Sequence, residues 1–532
     1  LKVFEEEYKI SEIPEKHPSI FEFRMVVFGV LLGLLGVIIG LELLTRVGVT
    51  PNTSIIGAII AIAVSRIPVT VLKPFQNLHR QNLIQTLISG ATFGGANSIL
   101  VPIGILWLIG KPELVPIMMI GAVLGLFIDA TIMYRVFDSR IFPALGIWPP
   151  GIATAECLIA GEMGGRRARL LVGGGVIGAV GRYCGVPMEI FGVAWIGNVW
   201  AMGMLSLGLL LRGYSTALLG YDINEIYLPH GVMIGAGSVA LIQIMVIIAK
   251  NGKDKMETAV YSSTGREFGR RIAGAFFAFI TAASVMAAAV GIYTKMTPVM
   301  LIGFVFFAGA AALISELIVG IAAMHSGWFP AFATTLIFLV IGMLMGFPPV
   351  PLAFLVGFTA SVGPAFADMG FDLKTGWILR GSGKYPEFEK QGRKQQYYAE
   401  LFGFVVAVLF VVLFYKNYFT GNLFPPVDRV FVSTIFAGAN YNIAYYLLIW
   451  MIPGAVIQII GGPARQIGIL FATGLLIMNP PAGWTVLIAL IIRGILVKKY
   501  GISIHSPLYV LAGGFIAGSA LCSFGTATLK LK

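Results

Sequence analysis

The sequence predicts an all-α, polytopic integral membrane protein. Three observations predict it. Of 532 residues, 57% are hydrophobic and only 12% are charged, where an ordinary soluble domain carries roughly 25% charged residues. The mean hydropathy is +0.88. The apolar residues also gather into runs of the ~20 residues that a helix needs to cross a bilayer. The same numbers exclude a soluble enzyme, which needs more charge on its surface. They exclude a disordered chain too, which needs far less apolar surface.

Such runs cover 24–45, 53–70, 81–109, 113–135, 146–163, 168–182, 187–211 and 229–249. A polar linker over 250–269 follows, carrying Lys250, Lys253, Lys255 and Arg266. Further runs cover 270–293, 298–323, 328–346, 349–367, 398–415, 436–460, 465–498 and 503–526. The expected architecture is about 16 transmembrane helices in two eight-helix halves, 24–249 and 270–532. A cytoplasmic segment over 1–23 precedes them, and a cytoplasmic loop is expected over 372–397. The run over 465–498 is too long for one simple span. Asn479-Pro480-Pro481 breaks it, because proline removes a helix donor, so a hairpin or a discontinuous helix is expected there. The first 23 residues are polar and rich in Glu, unlike a cleavable signal peptide.

Basic residues set the expected orientation. With sixteen spans and the N-terminus inside, 25 of the 37 Lys and Arg fall on inside segments and 12 on outside ones. This bias puts both termini in the cytoplasm. It also accounts for the net charge of +12 without nucleic acid. The two halves are weakly alike. Leu44-Thr45-Arg46 before Thr50-Pro51 matches Tyr293-Thr294-Lys295 before Thr297-Pro298. Trp148-Pro149-Pro150 before Ala160-Gly161 matches Phe424-Pro425-Pro426 before Ala437-Gly438. An even number of spans per half makes this a parallel repeat, with a site expected where the halves meet.

No phosphate-binding GxxxxGK[ST] loop, dinucleotide GxGxxG, HExxH, GxSxG or paired-His motif occurs. ATP-driven transport by this chain alone is therefore not expected, nor is a cofactor or a metal motif. Cys157, Cys184 and Cys522 are scattered in apolar stretches and read as small hydrophobes.

A charge inside a bilayer costs at least a few kcal/mol, so each intramembrane acid is a functional candidate. Those inside or at the edge of spans are Glu42, Asp129, Glu156, Glu189 and Glu316. Glu156, Glu316 and Asp129 are the candidates for carrying a coupling proton. Their alternative role is structural, capped by amides or paired with Lys or Arg. The third run carries Asn82, Gln85, Thr86 and Ser89 on one helical face. That face suits either bonds to another helix or a substrate path. His230 opens the eighth run after Pro229, and His325 ends the tenth. Tyr221, Tyr227 and Trp328 read as interfacial anchors.

One stretch carries a family resemblance. Asp368-Met369, then Asp372-Leu373-Lys374-Thr375-Gly376, then Trp377-Ile378-Leu379 resembles the D-L-K-T-G-aromatic-L-L hallmark of the oligopeptide transporter family, which includes the yellow stripe-like metal-chelate transporters. Asn82-x-x-Gln85-Thr86-x-x-Ser89 is similar to that family's segment in its third span. Arg393-Lys394-Gln395-Gln396 resembles its P-R-x-Q-like stretch, displaced by about ten residues. Pro229 to Gly237 and Gly474 to Pro481 resemble two further segments. In the second, Asn479-Pro480-Pro481 stands where the family has its G-x-Y-L-P core. The short N-terminus and compact length suggest a prokaryotic branch.

The resemblance implies an importer of small peptides, modified peptides or metal–chelator complexes, driven by protons. By it, Asn82, Gln85 and Thr86 line the path, with Ser89, His230 and Asn479 as further path candidates. Asp368, Asp372, Lys374, Thr375 and Gly376 form a structural or gating element on the cytoplasmic side, with Lys374 pairing with Asp368 or Asp372. The expected partners are the solute, protons, the bilayer and a second copy of the chain, in the plasma (inner) membrane. Two other classes compete. One is a channel or ion-translocating subunit of a complex. The other is a lipid-processing membrane enzyme, which would need clustered Asp or His where this sequence scatters its acids singly.

Overall fold

The computed structural model describes residues 16–48, 50, 52–251, 265–437 and 441–529. Most of the predicted segments 1–23 and 250–269 lies outside the described residues. Every regular element among the described residues is helical. Before the linker run α1 (Phe23–Glu42), α2 (Thr53–Ser65), α3 (Leu78–Phe93), α4 (Val101–Leu108), α5 (Val115–Val136), α6 (Pro149–Met163), α7 (Gly165–Tyr183), α8 (Met188–Ile196), α9 (Val199–Leu219) and α10 (Leu228–Asn251). After it run α11 (Gly265–Val290), α12 (Pro298–Ser326), α13 (Ala331–Leu344), α14 (Pro349–Ser361), α15 (Pro364–Leu379), α16 (Pro386–Thr420), α17 (Pro426–Ala437), α18 (Tyr441–Arg465), α19 (Ile467–Leu476), α20 (Pro480–Tyr500) and α21 (His505–Leu529).

Local chemistry starts these helices. Asn52 caps α2 by accepting from the Ile55 amide at 3.1 Å. Asn77 caps α3 through His79 and Arg80 at 3.1 Å each. Both satisfy amides that a helix start leaves without a partner. α6, α12, α14, α15, α16, α17 and α20 open with proline, whose fixed φ suits a first turn and whose missing donor costs nothing there.

Among the described residues, 11 helices are long and apolar enough to cross a membrane, and four shorter apolar helices accompany them. The chain is an integral, multi-pass membrane protein. Each predicted run overlaps a helix, but breaks divide several. The third run passes through a π-helical stretch, Gly94–Leu100, between α3 and α4. The run over 465–498 splits into α19 and α20 at the predicted Asn479-Pro480-Pro481.

The loop expected over 372–397 is corrected. Residues 372–379 complete α15 and 386–397 open α16, so only 380–385 form the connection. Asp372 and Lys374 read as solvated in the sequence, yet both are buried with polar partners. Internal partners remove the need for water and let the helix continue.

Helices from before and after the linker interleave. α3 packs on α16, α7 on α21, α9 on α19 and α20, and α10 on α18. Glycine permits the α7–α21 crossing. A Cβ on Gly174 would stand 2.7 Å from the Leu511 carbonyl oxygen, and one on Gly178 would stand 2.5 Å from that of Phe515. Such contact between backbones is how helices bind in lipid, where apolar burial gives little drive.

Candidate functional site

Two features stand out between the interleaved helices, a buried carboxylate cluster and a central cavity. The cluster is built on α15. Gly363, at φ 97, turns the chain into that helix. Asp129 of α5 then caps it, accepting from the Gly363 and Phe366 amides at 2.9 and 2.7 Å. The anchored helix carries Asp368 and Asp372 one turn apart, on the face that meets α3 and α16. Glu400 of α16 completes the group. All three residues are buried, and their oxygens lie within 4.8 Å of one another.

The polar face of α3 supplies their partners. Ser89 donates to Asp368 at 2.9 Å, and Thr53 of α2 donates to it at 3.0 Å. Gln85 Nε2 donates to Asp372 at 2.6 Å, and Asn82 donates to Gln85 at 3.0 Å. Gly90 leaves the room that Glu400 fills, since a Cβ there would stand 3.0 Å from the Glu400 carboxyl carbon. Among the described residues, no donor from outside the cluster reaches Asp372 Oδ2 or either Glu400 oxygen. No Lys or Arg pairs with the three among the described residues. Three like charges at this spacing in a dry interior repel strongly. The group must therefore share protons or hold a small cation, and its oxygens have ligand spacing for either. The sequence has no metal motif, and the fold alone brings these three carboxylates together from two helices.

A polar track leads away from the cluster. Gln396 Nε2 donates to the Asp372 carbonyl at 2.7 Å and to Thr86 at 3.1 Å. Its Oε1 accepts from Arg380 at 2.8 Å. The fully buried Arg380 grips Glu389 with two nitrogens, at 2.7 and 3.3 Å. Arg393 then joins Glu389 at 3.2 Å to Asp138 at 3.8 Å. His17 packs beside this track against Phe388. Burial and the Arg380 guanidinium push its imidazole down to about 3, so it is neutral at physiological pH.

The Asp372–Gly376 motif holds this assembly in place. Lys374 does not pair with Asp368 or Asp372 as expected. Its Nζ donates to the Ala144 carbonyl at 2.7 Å and lies over the Trp377 ring at 4.4 Å. At position 374 the side chain leaves α15 on a different face from 368 and 372. Thr375 donates to the Gly151 carbonyl at 3.0 Å, tying α15 to α6. A Cβ on Gly376 would collide with Arg380 and Gln396, so glycine makes room for their bond.

The remaining candidates lie apart from the cluster. Glu316 of α12 is fully buried, within electrostatic reach of Asp129. Glu156 accepts from Ser506 at 2.7 Å and faces Arg167 at 3.5 Å. Glu189 is held by Ser519 and by Arg182 at 3.6 Å. Glu42 accepts from Tyr418 at 3.0 Å and pairs with Arg46. His230 is buried beside Tyr227. The sequence does not mark Glu400, Thr53 or Ser54 (which lies 3.4 Å from Asp368) as site residues, and it marks Gln396 only within the P-R-x-Q-like stretch. The four-residue spacing of Gln396 and Glu400, which puts both on one helical face, was the available signal.

The cavity has a volume of about 480 Å³ and is bordered by residues from before and after the linker. Helix ends surround it: Asn52, Pro150, Ala331, Pro364, Pro426 and Asn479 all reach it. Trp328, Phe329 and Phe431 make apolar wall. Asn97, in the π-helical stretch, reaches it too and accepts from Thr50 at 2.8 Å. Of the predicted path residues, Asn479 borders the cavity, where it also caps α20 through the Ala482 amide at 3.1 Å. Asn82, Gln85, Thr86, Ser89 and His230 do not border it.

A family model described as OPT oligopeptide transporter protein matches residues 21–202 and 186–530. No curated protein matches the chain.

Proposed function

We propose that this chain, which belongs to the OPT oligopeptide transporter family, is a secondary active importer of small peptides, modified peptides or metal–chelator complexes. It works by alternating access, with the solute held in the central cavity and protons taken up by Asp368, Asp372 and Glu400. One observation carries this reading. Three carboxylates are buried together without a basic partner, on two helices that pack against the polar face of α3. A protein keeps such a group when its charge has to change during the working cycle. The track through Gln396, Arg380, Glu389 and Arg393 ties the cluster-bearing helix to the turn between α15 and α16. That turn and both termini are assigned to the cytoplasm on the bias of basic residues, and the host membrane to the plasma (inner) membrane.

The proposal moves the coupling role away from Glu156 and Glu316. Glu156 already has Ser506 and Arg167 as partners, the geometry of a structural carboxylate. Asp129 caps the start of α15, and Glu316 lies within electrostatic reach of Asp129, apart from the three-carboxylate cluster.

The test is uptake of radiolabelled tetraalanine into proteoliposomes under an imposed pH gradient. Accumulation that a protonophore abolishes is expected. Uptake that ignores the gradient would refute proton coupling, and accumulation driven by a sodium gradient would assign the same oxygens to that ion. Flux that only equilibrates the peptide would favour a channel.

A further inference from the structure

The central cavity has no Lys or Arg on its wall among the described residues. Its acidic neighbour, Glu189, is already engaged by Arg182 and Ser519. Recognition of charge in the cavity therefore falls to backbone dipoles and hydroxyls. Most helix starts there are already used. Asn52 and Asn479 cap α2 and α20. Asp129 caps α15. α6 opens on Pro149-Pro150, which has no amide hydrogen to offer.

The start of α13 is different. It follows Pro330, no side chain caps it, and Ala331, Phe332 and Ala333 all border the cavity. These are the first-turn residues whose amides have no partner within a helix. One turn further on, Thr335 borders the same cavity. It is fully buried, and its hydroxyl has no hydrogen-bond partner. The adjacent Thr334 is bonded to Ser315 at 2.7 Å, so the two hydroxyls serve different ends. Helical side chains lean toward the N-terminus, and position 335 shares a face with 331 and 332. The Thr335 hydroxyl is thus directed toward the uncapped amides.

We propose that the first turn of α13 and the Thr335 hydroxyl bind a carboxylate of the transported solute, which for a peptide is its C-terminus. This rests on the reading of the cavity as the solute site and deepens it. A carboxylate accepts from several donors at once and gains from the positive end of the helix dipole. Trp328, Phe329 and Phe431 lower the local dielectric, which strengthens those bonds. Binding without a cationic side chain also leaves no buried ion pair to break on release.

The experiment is calorimetric titration of the purified protein in lipid nanodiscs with tetraalanine and with its C-terminal amide. The acid is expected to bind at least about tenfold tighter than the amide, the value of a hydrogen bond to a charged group. Thr335→Val, which keeps the shape and removes the hydroxyl, should cut that preference several-fold. Thr335→Ser should restore it, and across the variants the acid's affinity should change more than the amide's, because a hydrogen bond to a charged group is the stronger one. Equal binding of acid and amide, or a wild-type preference in Thr335→Val, would overturn the proposal, as would no binding of either. Gradient-driven uptake without a carboxylate preference would sink this inference alone. A carboxylate preference without gradient-driven uptake would sink the coupling scheme alone.

Discussion

The carboxylate cluster and the central cavity solve opposite problems within one membrane domain. The cluster is dry, crowded and polar. Its groups come from α2, α3, α15 and α16, whose side chains donate to Asp368 and Asp372 but not to Glu400. The cavity is open, mostly apolar and surrounded by helix ends. One region suits a particle that needs oxygen ligands and no space. The other suits a larger solute that needs space and a few directed donors. On the proposed function, keeping them apart couples ion and solute through shared helices instead of direct contact. α15 is the shared element, since Pro364 borders the cavity and Asp368 stands one turn further along.

The largest effect that would break this division is expected at Arg380. Arg380→Met removes the two-nitrogen partner of the buried Glu389 and leaves it only Arg393, a loss of about 3 kcal/mol, the low end for a broken buried pair. Thermal unfolding in detergent should show it as a large drop in Tm; an unchanged Tm would mean that the track is not part of the folded core. Next come Asp372→Asn and Glu400→Gln, which keep shape and remove charge. Gradient-driven accumulation should be lost, because the neutral side chains cannot change charge during the cycle. Tetraalanine binding, measured calorimetrically, should stay within about twofold, a difference well under the energy of one lost hydrogen bond. Equal loss of both would merge the two regions into one site.

Smaller effects sharpen the comparison. Glu156→Gln should lower stability by about 1–3 kcal/mol, the scale of hydrogen bonds to a buried charged group, and leave the pH dependence of uptake unchanged. A shifted pH profile would return the coupling role to Glu156. The smallest effect is at Asp222, in the connection between α9 and α10. The hydrogen bond from Arg212 holds its carboxyl below the ordinary carboxylate range. A depressed folded value means that the stabilisation is complete above the unfolded value and fades as pH falls through the folded one. Because the group is partly exposed, Asp222→Asn should cost only about 0.5 kcal/mol at neutral pH. That difference in Tm from wild type should shrink at about pH 3, below the usual carboxylate value.

Much of this was legible in the residues. Composition and run length identified a multi-pass helical membrane protein, and Asn479-Pro480-Pro481 marked a true break. The polar face of Asn82, Gln85, Thr86 and Ser89 was visible from spacing alone, though not which helix it meets. α15 was not visible. Asp368, Asp372 and Lys374 lower the local hydropathy to that of a loop, and their partners lie on helices far away in sequence. Glu400 is different: it falls two residues inside the predicted run over 398–415, where the polar flank before it makes it read as a span edge. Periodicity reports which residues share a face of one helix. It cannot report that two such faces meet.

The interleaving of helices has a consequence for how the protein is made. Gln85 is bonded to a residue 287 positions further along the chain. Synthesis proceeds at about 5–20 residues per second, so the polar face of α3 waits on the order of 15–60 s for its partner. During that interval Asn82 and Gln85 would face lipid unless the insertion machinery shelters them. A ribosome stalled between α3 and α15 would leave a nascent chain with unsatisfied amides in hydrocarbon, marking it for quality-control proteolysis.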